Sequence, residues 1–274
     1  MRHVGLHFVG HSTVRVELAG RTVLTDPVLT ARVGPLRRVV PPPDPSVWAG
    51  VDVVVISHLH GDHLHLPSLR LLQAANPSAR FVVPAGAGGW LRSKGIPRVT
   101  ELAPGSSAVD GDLRITAVPA KHSGHRWGPR FTHGPQSPAV GHLLEGEGRR
   151  VYASGDTDLF EGMAALAGTD RRIDVALLPV WGWGPDLGPG HLDPARAAEA
   201  VARIRPRVAV PVHWGTLAVA GALQVPRLRA RMAELLVAPP RTFAGAVAER
   251  GLATHVALTE PGSPVLLPHP AARP

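Results

Sequence analysis

The chain contains no cysteine. That removes disulfides and thiolate metal sites, leaving imidazole and carboxylate as the strong metal ligands it can offer. A chain without thiols also fits a reducing compartment. Lysine is almost absent: Lys94 and Lys121 are the only two, so the formal net charge of +8 comes from arginine. The arginines are scattered, paired at Arg37-Arg38, Arg149-Arg150 and Arg171-Arg172 but never in a long run. GC-rich coding accounts for this pattern better than a nucleic-acid footprint does. No stretch approaches the roughly 18 apolar residues of a membrane span, and residues 1–8 lack the apolar core of a signal peptide. The expectation is a soluble, cytoplasmic protein with no transmembrane segment.

What the chain has is apolar patterning and histidine. With 274 residues, 44% of them hydrophobic, it can build one well-cored domain. Short β-type runs at 6–9, 14–18 and 22–25 predict an antiparallel meander. The proline-rich stretch 27–48 reads as a loop, and 51–56 as a strand buried on both faces. A helix is expected over 67–75, then strands at 80–83, 98–102, 113–118, 139–144 and 150–154. An apolar run at 174–180, a helix at 194–204 and a strand at 207–212 follow. The Leu and Met spacing over 223–237 predicts a helix packed on a sheet, and the tail 261–274 is expected to fray. No repeat or composition break divides the chain, so residues 1–274 are read as a single domain.

Fifteen histidines exceed the needs of a routine core. Directly after the strand 51–56 comes Ser57-His58-Leu59-His60-Gly61-Asp62-His63-Leu64. Four ligand-type side chains on a turn leaving a strand can converge on a borderline divalent metal such as zinc. Three further candidates share that context: His122 after 115–120, Asp156 after 151–155 and His213 after 208–212. Each alone has an ordinary structural reading, as a lone histidine or a Gly-Asp-Thr turn. Together they would form one cluster at one edge of a sheet.

These motifs resemble the metallo-β-lactamase superfamily, in the branch of N-acyl-phosphatidylethanolamine phospholipase D and ascorbate-6-phosphate lactonase. The resemblance runs through Gly10-His11-Ser12-Thr13, Leu24-Thr25-Asp26-Pro27, residues 56–64 and Pro119-Ala120-Lys121-His122. It continues in Ser154-Gly155-Asp156-Thr157, His191-Leu192-Asp193-Pro194 and His213-Trp214-Gly215-Thr216, the last two specific to the branch. It implies an α/β fold, a four-layer αββα sandwich with metals at one edge. It also implies two divalent ions, zinc first and manganese or iron as alternatives. His58, His60 and His122 would hold one, Asp62, His63 and His213 the other, and Asp156 would bridge them. His60 stands where the flavo-diiron branch carries Glu, which favours hydrolysis over redox iron. His65 stands where the branch often has an acidic residue.

The implied chemistry is attack by a hydroxide activated between two metals on a phosphodiester, lactone or related ester. Asp62 could accept a proton as water is activated. His191 could stabilise charge on the attacked or leaving group, or simply precede a helix. His11 and Asp26 would support the site or hold the first meander, and His125 and His133 could line the pocket. The expected substrate is a small or lipid-derived anionic molecule. The competing classes are a nuclease of the same superfamily and a non-catalytic metal-binding protein. A recognisable RNA-gripping insertion is missing from the first, and a full ligand set argues against the second.

Overall fold

The computed structural model describes residues 4–126, 134–168 and 171–268. β1 (Gly5–Gly10), β2 (Thr13–Leu18) and β3 (Arg21–Thr25) make the expected antiparallel meander. The stretch expected to be a loop carries two short strands, β4 (Arg32–Val33) and β5 (Leu36–Arg38), that pair across a turn. Strands of two and three residues are too short to leave an alternation in sequence. β6 (Val53–Val55), α1 (Leu66–Ala75), β7 (Arg80–Pro84), α2 (Gly88–Ser93) and β8 (Val99–Leu102) follow, the strands running parallel to β3 and to one another.

The second half repeats this plan. β9 (Ser107–Asp110), β10 (Leu113–Pro119), β11 (Val140–Gly146) and β12 (Arg149–Ala153) form an antiparallel meander. β13 (Val175–Pro179), α3 (Pro194–Ile204), β14 (Val208–Val212), β15 (Leu217–Val219), α4 (Pro226–Leu235), α5 (Pro239–Glu249), β16 (His255–Val256) and β17 (Ser263–Pro264) complete the chain. β13, β14 and β16 extend the second sheet in parallel from β12. Two seven-stranded mixed sheets result, ordered β17-β1-β2-β3-β6-β7-β8 and β16-β14-β13-β12-β11-β10-β9. β15 joins β5 and β4 in a small third sheet.

Alternation along the strands sorts side chains between layers. Val53 and Val55 of β6 and Val82 of β7 enter the core shared with the second sheet. Val54, Phe81 and Val83 point to the other face, where Leu69 and Leu72 of α1 and Leu91 of α2 cover them. α3 and α5 pack on each other, and both bury apolar side chains in the core cluster that holds β13 and β14. This is the αββα sandwich that the motifs implied. Phe8 lies in its central core with no exposed surface. Phe8→Ala is expected to cost about 3–5 kcal/mol through lost burial and the cavity left behind. Urea unfolding should show this as a lower midpoint at unchanged slope.

Two expectations need correction. Residues 261–268 are not frayed: Gly262 N–H donates to Phe8 O at 2.7 Å and Val265 N–H to Leu6 O at 2.9 Å. β1 would otherwise be an open edge, and Pro264 is tolerated because edge strands need fewer donors. Residues 269–274 lie outside the described residues. α4 is shorter than the predicted helix and fully buries only Met232, while Leu228 is 41% exposed. Arg227, Arg229 and Arg231 keep most of its surface in water. Among the described residues no helix is long and apolar enough to cross a membrane.

Candidate metal centre

Every candidate ligand sits at or soon after the end of a strand. His11 follows β1, Asp26 follows β3, and residues 58–63 follow β6. His122, Asp156 and His213 follow β10, β12 and β14. Facing sheets thus bring six strand ends to one edge. Three of these positions are strained: His11, Asp26 and His213 have φ of 55°, 34° and 64°. Left-handed backbone at a non-glycine residue costs roughly 1–3 kcal/mol and is tolerated where the surroundings over-determine it. Gly155 also has positive φ, and a Cβ there would lie 2.2 Å from Ser57 Cβ, so only glycine can present Asp156.

The ligand atoms fall into two groups. His60 Nδ1 lies 3.0 Å from His58 Nε2 and 3.1 Å from His122 Nε2. His63 Nε2 lies 3.2 Å from His213 Nε2, and Asp62 Oδ2 is 4.0 and 3.9 Å from those same nitrogens. Asp156 stands between the groups: its Oδ2 is 3.3 Å from His63 Nε2 and its Oδ1 3.3 Å from His213 Nε2. It also converges with His58 on one side and with His122 and His191 on the other. Nitrogens about 2.0–2.1 Å from a tetrahedral ion sit roughly 3.3 Å apart, close to these separations.

For His58, His63, His122 and His213 the far side of the imidazole explains its orientation. His63 Nδ1 meets Asp26 Oδ2 at 2.9 Å, His122 Nδ1 meets Gly190 O at 2.7 Å, and His213 Nδ1 meets Trp181 O at 2.6 Å. Ser57 Oγ–H donates to Asp26 Oδ2, so it can accept from His58 Nδ1–H at 3.0 Å. With Nδ1 donating outward, each Nε2 turns a lone pair inward, as metal-binding histidines do. Two such lone pairs facing at 3.2 Å, those of His63 and His213, require a proton or a cation between them. Asp156 Oδ1 is buried and accepts no hydrogen bond. The donor set therefore fits divalent cations.

The electrostatics agree. Burial holds His58 well below its usual pKa, with nearby imidazoles adding to the effect. Burial, reinforced by His122, brings His60 down to about 4, and burial brings His213 down to about 3 despite Asp156. Neutral imidazole is the ligating form. His63 goes the other way: burial opposes its charge, but Asp156, Asp26 and Asp62 raise it well above its usual range. Burial likewise opposes charge on Asp156 and Asp62, yet the surrounding histidines keep both carboxylates below their usual range. Three buried carboxylates demand positive charge at this spot, whether a proton on His63 or a metal ion.

The supporting residues are equally specific. Asp26 accepts from Ser57 N, Ser57 Oγ and His63 Nδ1, and His11 Nε2–H donates to Asp62 Oδ2 at 3.0 Å. His191 is more than a residue before a helix: its Nε2 lies 3.5 Å from Asp156 Oδ2, while Asp193 caps α3. His125 belongs to none of the ligand groups and forms an isolated bridge with Gln136. His133 lies outside the described residues. His65 is buried against Ser68 Oγ at 2.8 Å just ahead of α1. Arg126 is a further supporting residue that the sequence does not single out. Its buried guanidinium donates to Leu59 O at 2.8 Å and Leu64 O at 2.7 Å, clamping both ends of the ligand turn. No local pattern in Ser123-Gly124-His125-Arg126 announces that role.

Comparison with known proteins agrees with this geometry. Residues 21–214, well over half the chain, match the Beta-lactamase superfamily domain. An uncharacterized protein of Mycobacterium tuberculosis is 36% identical over 231 residues, covering 79% of this chain and 60% of that protein. The N-acyl-phosphatidylethanolamine-hydrolyzing phospholipase D 1 of Caenorhabditis elegans is 33% identical over 227 residues, 76% of this chain and 63% of the worm protein. The chain thus spans under two thirds of the length of these two relatives. A UPF0173 metal-dependent hydrolase of Aeropyrum pernix is 32% identical and is covered almost end to end, 94% of this chain and 95% of that one. Among solved structures, the metallo hydrolase Igni18 of Ignicoccus hospitalis superposes with a TM-score of 0.69 at 27% identity, over 96% of this chain and 97% of its own. The chain belongs to the metallo-β-lactamase superfamily.

Proposed function

We propose that the cluster holds two divalent ions, zinc first and manganese or iron as alternatives, and hydrolyses a phosphodiester, lactone or related ester of a small or lipid-derived anionic molecule. The observation carrying this reading is the position of Asp156. It lies within reach of His58 and His122 from one ligand group and of His63 from the other. His58, His60 and His122 would hold one ion, Asp62, His63 and His213 the second, and Asp156 both. When bound, such ions bring the pKa of water toward neutrality and polarise the attacked group.

The chain's own residues do the rest. Asp62, ionised and hydrogen-bonded by His11, accepts a hydrogen bond from the attacking water and orients it. Its low pKa makes it an orienting group more than a lasting proton acceptor. His191, with its side chain 21% exposed beside Asp156, reaches the substrate side and stabilises charge on the attacked or leaving group. Similarity to the worm phospholipase D supports a phosphodiester among the candidate bonds. Assay of metal-loaded protein against phosphodiesters, lactones, β-lactams, thioesters and single-stranded RNA tests the reading. Turnover confined to β-lactams or thioesters would refute it.

A nuclease would use the same cluster, and the net charge of +8 is its one supporting feature. We expect the scattered arginines to give only weak, sequence-independent nucleic-acid binding that fades steeply with salt. Filter binding between about 50 and 200 mM salt reads this. Asp156-dependent cleavage of RNA or DNA at physiological salt would reverse the choice.

A further inference from the structure

A cavity of about 570 Å³ opens beside the cluster, within the usual size of small-molecule sites. It adjoins the ligands through His191 and through Trp181, whose carbonyl faces His213 Nδ1. Gly182 keeps this wall thin: a Cβ there would lie 2.5 Å from Leu187 Cδ2 and 3.3 Å from the His213 ring. Trp181, Leu187 and Leu235 supply apolar surface.

The charges in the lining are unbalanced. Among the described residues Arg196 is its only Lys or Arg, and it is engaged by Asp158. Asp186 and Asp193 accept from backbone N–H groups at 3.1 and 2.8 Å, and Glu234 has no ion-pair partner among the described residues. Three exposed carboxylates without a cationic partner thus line one cavity of a chain whose net charge is +8. An anionic tail would meet repulsion there, a bare alkyl tail would leave the carboxylates unmatched, and an ammonium would complement them.

We propose that this cavity receives the non-reacting part of the substrate, and that this part is an apolar group bearing a positive charge. The assignment rests on the hydrolytic reading of the adjoining cluster.

Calorimetric titration of the metal-loaded protein with 4-phenylbutylammonium and with uncharged 4-phenylbutanol reads the cavity without turnover. The ammonium should bind about tenfold more tightly. That preference should vanish in the double variant Asp186→Arg, Glu234→Arg, whose positions are exposed and outside the core. Equal affinities in the wild type, or a preference that survives in the variant, would overturn the proposal. Kinetics with p-nitrophenyl phosphodiesters carrying hexyl or 6-aminohexyl as the second ester group separate the two claims. Faster cleavage of the aminohexyl diester, by kcat/KM, supports both. Cleavage of both diesters at equal kcat/KM would refute the cavity assignment alone. Failure to cleave either, with the ammonium preference intact, would refute the phosphodiester reading and leave the cavity standing.

Discussion

Asp156→Ala is expected to lower hydrolysis by more than about 100-fold, beyond the 10–100-fold that partners behind a metal ligand are worth. The carboxylate lies between both ligand groups, so its loss weakens both at once. His60→Ala should behave alike, because His60 Nδ1 is the atom that His58 and His122 both approach. Neither change touches the apolar clusters that hold the sheets together. Far-ultraviolet circular dichroism should therefore match wild type while activity is lost. Wild-type turnover in either variant would show that the residue is not a ligand.

Asp26→Ala should be the most damaging change outside the ligands. Its carboxylate accepts from Ser57 N at 2.7 Å, Ser57 Oγ at 2.6 Å and His63 Nδ1 at 2.9 Å, all buried. Without it, His63 loses the partner that fixes its tautomer and ring orientation. Ser57 also keeps a buried N–H with no acceptor, which costs about 1–3 kcal/mol. Metal affinity is expected to fall about 10–100-fold and stability with it. A competitive chelator titration of wild type and variant measures the first. Unchanged affinity would mean that Asp26 only braces the meander.

The residues that were legible in sequence share a physical feature: their signal is local. The ligand turn packs three histidines and an aspartate into residues 58–63, His213 follows an uninterrupted apolar strand, and Asp156 follows the apolar end of another. The buried strands announce themselves because Val53, Val54 and Val55 must be apolar on both faces. What was hidden depends on distant partners. β4, β5 and β15 are short and pair across 179 or more residues where β15 meets β5. α5 starts with Pro239 and Pro240, which read as a break but suit a first helical turn, where N–H groups lack partners anyway. α2 opens on Gly88-Gly89 and is held by Leu91 in the core instead of by propensity. The two halves share a plan of meander then parallel strands without a sequence repeat, since alternation of apolar residues is all that the plan requires. Arg126 acts on carbonyls 67 and 62 positions away, so nothing near it in sequence could reveal its role.

Under the proposed reading, seven side chains from the ends of facing sheets hold two metal ions. Elemental analysis of protein purified without chelator, and again after chelation and reloading, measures this occupancy. Two equivalents of transition metal per chain are expected in wild type, with substantially less retained by Asp156→Ala. A wild-type content near zero that does not recover on adding zinc, manganese or iron would rule out the two-metal site.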